Sequence, residues 1–427
     1  MIIGIDDTDS RDGMCTTYLC SLLSEELERY GKITDDLLLI RLNPTVPYKT
    51  RGNAAVAIAI DTDAPDMVKK HVTERVRTLA CLENDTTNPG IVFVSDEMSE
   101  LSRNPLGLFF KKAVKEIITV NEAEELIRKL NLQSKGFKNR RGLIGALAAC
   151  GAMLNSGWDH TYEYITYRKQ EKWGSPRMVD SSSIFSADKK TYPMTWDNVD
   201  ILNQQVVCVP RSPDPVLYGI RGSVQEEVIR CASMIRSEPF ERSALYKTNQ
   251  GTDMHIIQED SISQMQDMHS YSLMCTVISV PETIQGGHVI FSVSDKHDHE
   301  LKCAAYEPTK NFRELVRELI PGDVIRIYGS MINGTLNTEK LEIISMIQTY
   351  EYKNPACPVC HKSMESAGKG QGYRCRKCRT QAESKIQVEI CRNIHPGLYE
   401  VPPCARRHLA KPLIRDKNSS LSLFPSR

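Results

Sequence analysis

Over the first 260 positions short continuous apolar runs, of the kind buried strands carry, take turns with stretches at the roughly 3.6-residue period of a helix. Residues 1–6 read as a short buried strand. Residues 17–30 then place Leu19, Leu22, Leu23, Leu27 and Tyr30 on one helical face, and Gly31 ends the helix. The apolar runs 37–42 and 54–60 predict two further strands around a polar loop at 43–53 that holds Pro44 and Pro47. A helix from 66 to about 82, a strand at 91–95 and helices at 106–118 and 122–132 follow, ahead of a basic, glycine-bearing stretch at 135–142. This mixture predicts an α+β fold. From about residue 272 the pattern changes to short strand-like runs at 273–280, 288–293, 324–328 and 341–344, with one helix-like stretch at 312–319. About 80 residues of this kind fit a five-stranded barrel of the oligonucleotide-binding (OB) type, with a generic β domain as the plainer alternative. The Ser-rich end, 418–427, reads as loose.

A chain of 427 residues, 41% hydrophobic and 25% charged, is too long for one ordinary core and predicts several domains. The longest weakly polar run, 142–154, is too short to span a bilayer, and its Gly and Ala content suits a packed helix. The first residues lack the stages of a signal peptide, so a cytoplasmic protein with no membrane segment is expected. In that setting the 14 cysteines read as reduced thiols, with close CxxC pairs used for metal. The zero net charge hides an asymmetry: residues 351–427 carry 15 Lys+Arg against 6 Asp+Glu, a net +9, which leaves the rest at −9. This suits a polyanion-binding appendage on an acidic body, or a solvated basic tail.

Two CxxC knuckles, Cys357/Cys360 and Cys375/Cys378, have the spacing of a four-thiolate Zn²⁺ site. Lys362, Lys369, Tyr373, Arg374, Arg376, Lys377 and Arg379 surround them, cations for phosphates and a ring for stacking. Cys391, Cys404, His395 and His408 follow at loose spacing and stay unassigned. At the other end Asp6, Asp7 and Asp9 crowd a strand terminus before a predicted helix. Mg²⁺ carrying nucleotide phosphates would offset their repulsion, with the phosphates resting at the helix N-terminus; ordinary helix capping explains the same residues. Lys49 and Arg51 in the 43–53 loop, and Arg140, Arg141 and Gly142 before the small-residue helix, are candidate phosphate ligands. No Walker motif occurs. Asn249 and Asp253 in TNQGTD, with Asp85 as a neighbour, suit a cationic amine, although turn chemistry explains them as well.

The segments GIDDTDS, GMCTTYL, RLNPTVPYKTRGNAAV, RRGLIGALAA, TNQGTD and CPVC…CRKC occur in this order. Together they resemble the archaeal tRNA(Ile)-2-agmatinylcytidine synthetase (TiaS) family over residues 1 to about 380. The resemblance implies an α+β multidomain protein with kinase-like and ferredoxin-like domains, then an OB-fold barrel and a zinc ribbon. It places the kinase-like domain at 1–62 with about 133–200, the ferredoxin-like domain at about 63–132 with 201–265, the barrel at 270–350, the ribbon at 352–385 and a basic tail at 386–427. It implies an ATP-dependent carbon–nitrogen ligase that replaces the C2 oxygen of the wobble cytidine of isoleucine tRNA with agmatine, so that the anticodon reads AUA instead of AUG. Partners would be agmatine, ATP and the anticodon loop and acceptor region of that tRNA. A carbonyl oxygen leaves only after activation, most simply by phosphorylation of O2. On this reading Asp6, Asp7 and Asp9 hold Mg²⁺, Lys49, Arg51, Arg140 and Arg141 clamp phosphates, and Thr16 is the hydroxyl the family marks as a phosphate acceptor. Asp85 or Asp253 deprotonates the amine or binds its guanidinium end. An ATP-dependent kinase or ligase using another amine or base, and a non-catalytic RNA-binding protein, are the competing readings.

Overall fold

The computed structural model describes residues 1–95, 98, 100–155, 157–416 and 420–427, with backbone alone for 100–102. Its central strand shows how a continuous apolar run serves two layers. In Ile2–Asp6, Ile3 and Ile5 pack against Leu19, Leu23 and Leu27 of the helix Thr16–Leu27 and against Val68, Val72 and Val76 of the helix Pro65–Leu79. The strand Ala54–Asp61 divides in the same way. Val56, Ile58 and Ile60 join that layer, and Ala55, Ala57 and Ala59 face the opposite one with Ile2. The small side chains on this second face admit the helix Gly142–Met153 very closely: a Cβ on Gly4 would lie 2.0 Å from the carbonyl oxygen of Ala146. Being apolar nearly all round, this helix is covered on its outer side too, by Phe110, Val114, Ala123 and Ile127 of the helices Glu100–Lys115 and Val120–Lys129.

The sheet runs in the order Gln133–Gly136, Gly90–Val94, Ile2–Asp6, Ala54–Asp61, Leu37–Arg41, Phe240–Thr248, Thr161–Arg168, Val216–Gly222, Thr195–Trp196, with Lys32–Ile33 beside Ala54–Asp61. All pairings in it are antiparallel except that of Leu37–Arg41 with Phe240–Thr248. This parallel seam joins two lobes. Residues 63–132, grouped from the sequence with 201–265, place their strand beside Ile2–Asp6 and their helices in the same cores as residues 1–62. The second lobe, 161–248, runs strand, helix Ser181–Thr191, strand, a small ribbon of Val199–Asp200 with Gln205–Val206, strand, helix Gln225–Ser233, strand, around Leu217, Ile220, Val228 and Cys231.

The expected barrel closes through Ser270–Val277, Val289–Ser294, Glu300–Ala305, Thr335–Ser345, Val324–Ile332 and back to Ser270–Val277. Leu273, Phe291, Val293, Ile327 and Leu341 fill it, with Phe312 and Val316 of the helix Phe312–Arg317 packed in the same core. Beyond it, Thr349–Lys353 and Ile386–Ile390 form a two-stranded stalk that carries the two CxxC knuckles.

The segment after the stalk, expected as a basic tail with a loose end, is instead a strap. Part of the 418–427 expectation (418 and 419) lies outside the described residues. Gly397–Glu400 pairs with Thr335–Ser345, and Leu423–Phe424 adds to it in parallel. Leu409 enters the core beneath the helix Gly142–Met153. The basic residues are spent on acids of the body: Arg406, with 2% of its side chain exposed, bridges the buried side chains of Asp197 and Glu400, Arg427 pairs with the buried Asp188, and Arg415 with the exposed Asp159. Leaving two buried carboxylates unpaired costs about 3–5 kcal/mol. Arg406→Met is therefore expected to lower the unfolding midpoint in denaturant, and an unchanged midpoint would show that the strap contributes nothing to stability.

Candidate active site

At the end of the strand Ile2–Asp6 the chain reverses through Asp7, whose φ of 58° lies in the left-handed region. The Asp7 N–H donates to Asp6 Oδ1 at 2.7 Å, and the Thr8 hydroxyl donates to Thr16 Oγ1 at 3.0 Å. The helix Thr16–Leu27 then begins with no side-chain cap and no acid in its first turn, so its free N–H groups face the loop. The helix Gly142–Met153 starts nearby, also without a side-chain cap. Glycine is required in its first turn: a Cβ on Gly145 would lie 2.0 Å from Asp6 Oδ2, and one on Gly142 would lie 2.3 Å from the Gly90 nitrogen. Absence of those side chains lets the Asp6 carboxylate sit against the start of the helix.

The other two acids are drawn apart by arginines. Arg141 pairs with Asp7 at 3.0 Å, donates to the Thr86 carbonyl at 2.7 Å and lies 4.6 Å over the Tyr48 ring. Arg51 pairs with Asp9 at 2.8 Å, donates to the Met14 carbonyl and approaches Asp214 at 3.7 Å. Burial pushes the Asp6 carboxyl well above its ordinary range, with the Asp7 charge adding to the effect. Burial also raises Asp7 to about 6, opposed by Arg141, and raises Asp9, opposed by Arg51. The Lys49 ammonium, lowered by burial and by Arg407, donates to the Pro44 carbonyl.

These groups line a cavity of about 410 Å³. It brings together Asp6, Asp7, Asp9, Thr16, Lys49, Arg51 and Arg141 from the sequence-derived set. Arg140 points elsewhere and pairs with Glu124 at 2.9 Å, while Gly142 contributes close backbone packing. Asp85 is exposed on a loop. Asn249 clamps the Arg41 backbone, accepting from its N–H at 2.7 Å and donating to its carbonyl at 2.9 Å. Asp253 is bound by Lys340 of the barrel and by the Lys411 N–H of the strap. The wall also holds Arg41, Glu163, Asp214 and Arg221, which sequence reading left out, and His408, which it left unassigned. Arg221 had a signal, since it is the one charged residue in the strand Val216–Gly222, whereas Glu163 shares its strand with Thr161, Thr166 and Arg168 and stood out less. His408 had none, because its place depends on the course of the strap.

The four cysteines meet as their spacing requires. The Sγ atoms of Cys357, Cys360, Cys375 and Cys378 lie within 4.8 Å of one another. Zn²⁺ at about 2.3 Å from each sulfur in a tetrahedron spaces the thiolates about 3.8 Å apart, so the set fits the ion. Each knuckle is closed by a left-handed residue: His361 (φ 57°) donates to the Cys357 carbonyl at 2.8 Å, and Arg379 (φ 60°) to the Cys375 carbonyl at 2.9 Å. Among the described residues no helix is long and apolar enough to cross a membrane.

Three family models match the chain: the TiaS TCKD domain over residues 2–64, the TiaS FLD domain over 140–255 and the TiaS C-terminal zinc ribbon domain over 354–394. The tRNA(Ile2) 2-agmatinylcytidine synthetase TiaS of Methanosarcina mazei is 57% identical over 428 residues, covering 100% of both chains. The crystal structure of a TiaS–tRNA(Ile2)–ATP complex superposes with a TM-score of 0.88 at 45% identity, and that of a TiaS–tRNA(Ile2)–AMPCPP–agmatine complex with 0.86 at 43%, each over 98% of both chains.

Two outcomes follow from the geometry. A carboxyl raised from 3.8 to about 6 binds its proton more readily in the folded state. Its ionisation therefore opposes folding by roughly 3 kcal/mol at neutral pH, a cost that fades as pH falls from about 6 towards 4. Unligated Asp7→Asn should accordingly be more stable than wild type at about pH 8 and nearly equal to it at about pH 4, and denaturant unfolding at the two pH values checks the sign. Cys375→Ser should reduce zinc from about one ion per chain to none by elemental analysis, and retention of the metal would remove these cysteines as its ligands.

Proposed function

The chain belongs to the tRNA(Ile2) 2-agmatinylcytidine synthetase (TiaS) family, and on that premise we propose that it joins agmatine to position 2 of a cytidine of tRNA(Ile2) in an ATP-dependent reaction. The observation that carries this is one cavity in which carboxylates, arginines and a lysine meet at the starts of two helices. Such a site suits phosphate chemistry, because the helix N–H groups and fixed cations stabilise the charge on a transferring phosphoryl group.

In this reading a phosphoryl group of ATP passes to O2 of the cytidine. The amine of agmatine then attacks C2, and the C2–O bond breaks as phosphate departs. Arg51, Arg141 and Lys49 engage the nucleotide phosphates, and the Thr16 hydroxyl at the helix start is a phosphate acceptor. Asp6, Asp7 and Asp9 offer the oxygen ligands that Mg²⁺ takes. Two of these acids are held by arginines, and among the described residues the three do not gather oxygens within 4.8 Å of one another. Phosphates that engage Arg51 and Arg141 would release Asp9 and Asp7 for the ion. Agmatine's amine has a solution pKa of about 10, like that of lysine, and must lose a proton before attack. Glu116, Glu163 and Asp214 in the wall offer carboxylates for its cationic ends.

Apart from the small ribbon of Val199–Asp200 with Gln205–Val206, the strand–helix–strand–strand–helix–strand course of 161–248 supports a ferredoxin-like unit there, and residues 1–155 would form the kinase-like one. The barrel, as an OB-fold, and the ribbon grip the tRNA, and the modified residue is the wobble cytidine, which shifts reading from AUG to AUA. An anticodon loop lets a base be splayed into the cavity cheaply.

Incubation with a tRNA(Ile2) transcript, ATP and agmatine, followed by mass analysis of the nucleosides, tests the proposal. Wild type should convert the wobble cytidine, whereas Asp7→Asn should lose on the order of a thousandfold in rate while still binding tRNA. An unmodified nucleoside in the wild-type reaction would overturn the reading.

A further inference from the structure

The TNQGTD segment lies mostly behind the cavity wall, where it forms a socket for the strap. Gly251 N–H donates to the His408 carbonyl at 2.8 Å, and Thr252 and Asp253 N–H both donate to Leu409 at 3.1 and 2.8 Å. One side chain in the socket reaches two residues of the cavity wall. Gln250, fully buried, donates from Nε2 to Glu163 Oε2 at 2.5 Å, and its Oε1 lies 2.9 Å from His408 Nδ1. A carboxylate only accepts, so Gln250 must turn its amine towards Glu163, which leaves its oxygen for the imidazole. The His408 proton is thereby fixed on Nδ1. Glu163 in turn holds Arg221 at 3.1 Å and Arg41 at 3.8 Å, and both arginines line the cavity. The Arg41 Nε has no hydrogen-bond partner, although it is buried.

We propose that His408, delivered by the C-terminal strap, is a positioning residue for the reaction: through Gln250 and Glu163 it sets the two arginines Arg41 and Arg221 that face the reactants. Burial, with Arg41, Arg221 and Lys49 close by, holds the imidazole pKa far below its ordinary value, so the ring is neutral and one tautomer serves. The role rests on the ATP-dependent modification proposed above. It also makes the strap, which continues from the zinc ribbon, part of the catalytic apparatus.

The test compares His408→Asn, His408→Gln and His408→Ala in the full-length zinc protein. Asn places an N–H where Nδ1 stands, and Gln places one where Nε2 stands. Agmatine transfer should be retained in His408→Asn and fall by about tenfold or more in the other two, since small displacements of charged groups at a reacting centre are costly. All three should melt alike. Equal losses in Asn and Gln, full activity in all three, or activity that simply follows melting temperature would overturn the proposal. A second measurement is independent of turnover. Proton–nitrogen spectra of histidine-labelled protein, with His408 assigned by its absence in His408→Asn, should show a neutral ring protonated at Nδ1, and an Nε2–H or doubly protonated ring would also overturn it. If wild type makes no product yet the Nδ1 tautomer is found, the functional reading fails while the network stands.

Discussion

A helix laid directly on a sheet, backbone against backbone, fixes the geometry on which the site depends. The helix Gly142–Met153 reaches the strands Ile2–Asp6 and Gly90–Val94 only because Gly4, Gly90, Gly142 and Gly145 carry no side chains at the contacts. The close approach puts the start of this helix beside the Asp6 carboxylate and aims Arg141, at its N-cap, across the loop to Asp7. A larger residue at any of these contacts would push the helix outward and open the site along with the core.

The acids at the strand end are costly to bury, as their raised pKa values record. The fold offsets part of the cost with Arg51 and Arg141, so the site is an arrangement of charge pairs. Paired arginines and carboxylates are groups for which phosphates and divalent cations compete. Burial and a different set of cations, Arg41, Arg221 and Lys49, hold the His408 imidazole far below its ordinary pKa, and Gln250 meets its Nδ1 at 2.9 Å.

The strap converts an excess of basic residues near the C-terminus into cohesion. Arg406, Arg407, Arg415 and Arg427 reach acids on the body or the barrel, and Leu409 packs into the first core. The cations that remain on the ribbon, among them Arg374, Lys377 and Arg379, are the ones left for an external polyanion. Overall charge could not separate these two uses, because both raise the same count.

The sequence by itself determined what is local. The apolar runs of residues 1–6 and 54–60, the helical spacing of Leu19, Leu23 and Leu27, the small-residue helix and the paired CxxC knuckles are each written in a short stretch of chain, and the structure forms each element there. The acidic loop and Lys49, Arg51 and Arg141 were legible too, because charged residues clustered with glycine and turn formers stand out at strand and helix ends. Only the tertiary structure decided which distant segments share a wall. It brought Glu163 and Arg221 from the second lobe and His408 from the strap into the cavity, and it turned Asn249 and Asp253 towards structural partners instead. The reason is physical: a period reports which face of an element is buried, whereas the partner of that face is chosen by packing and charge pairing across hundreds of residues, which leave no local trace.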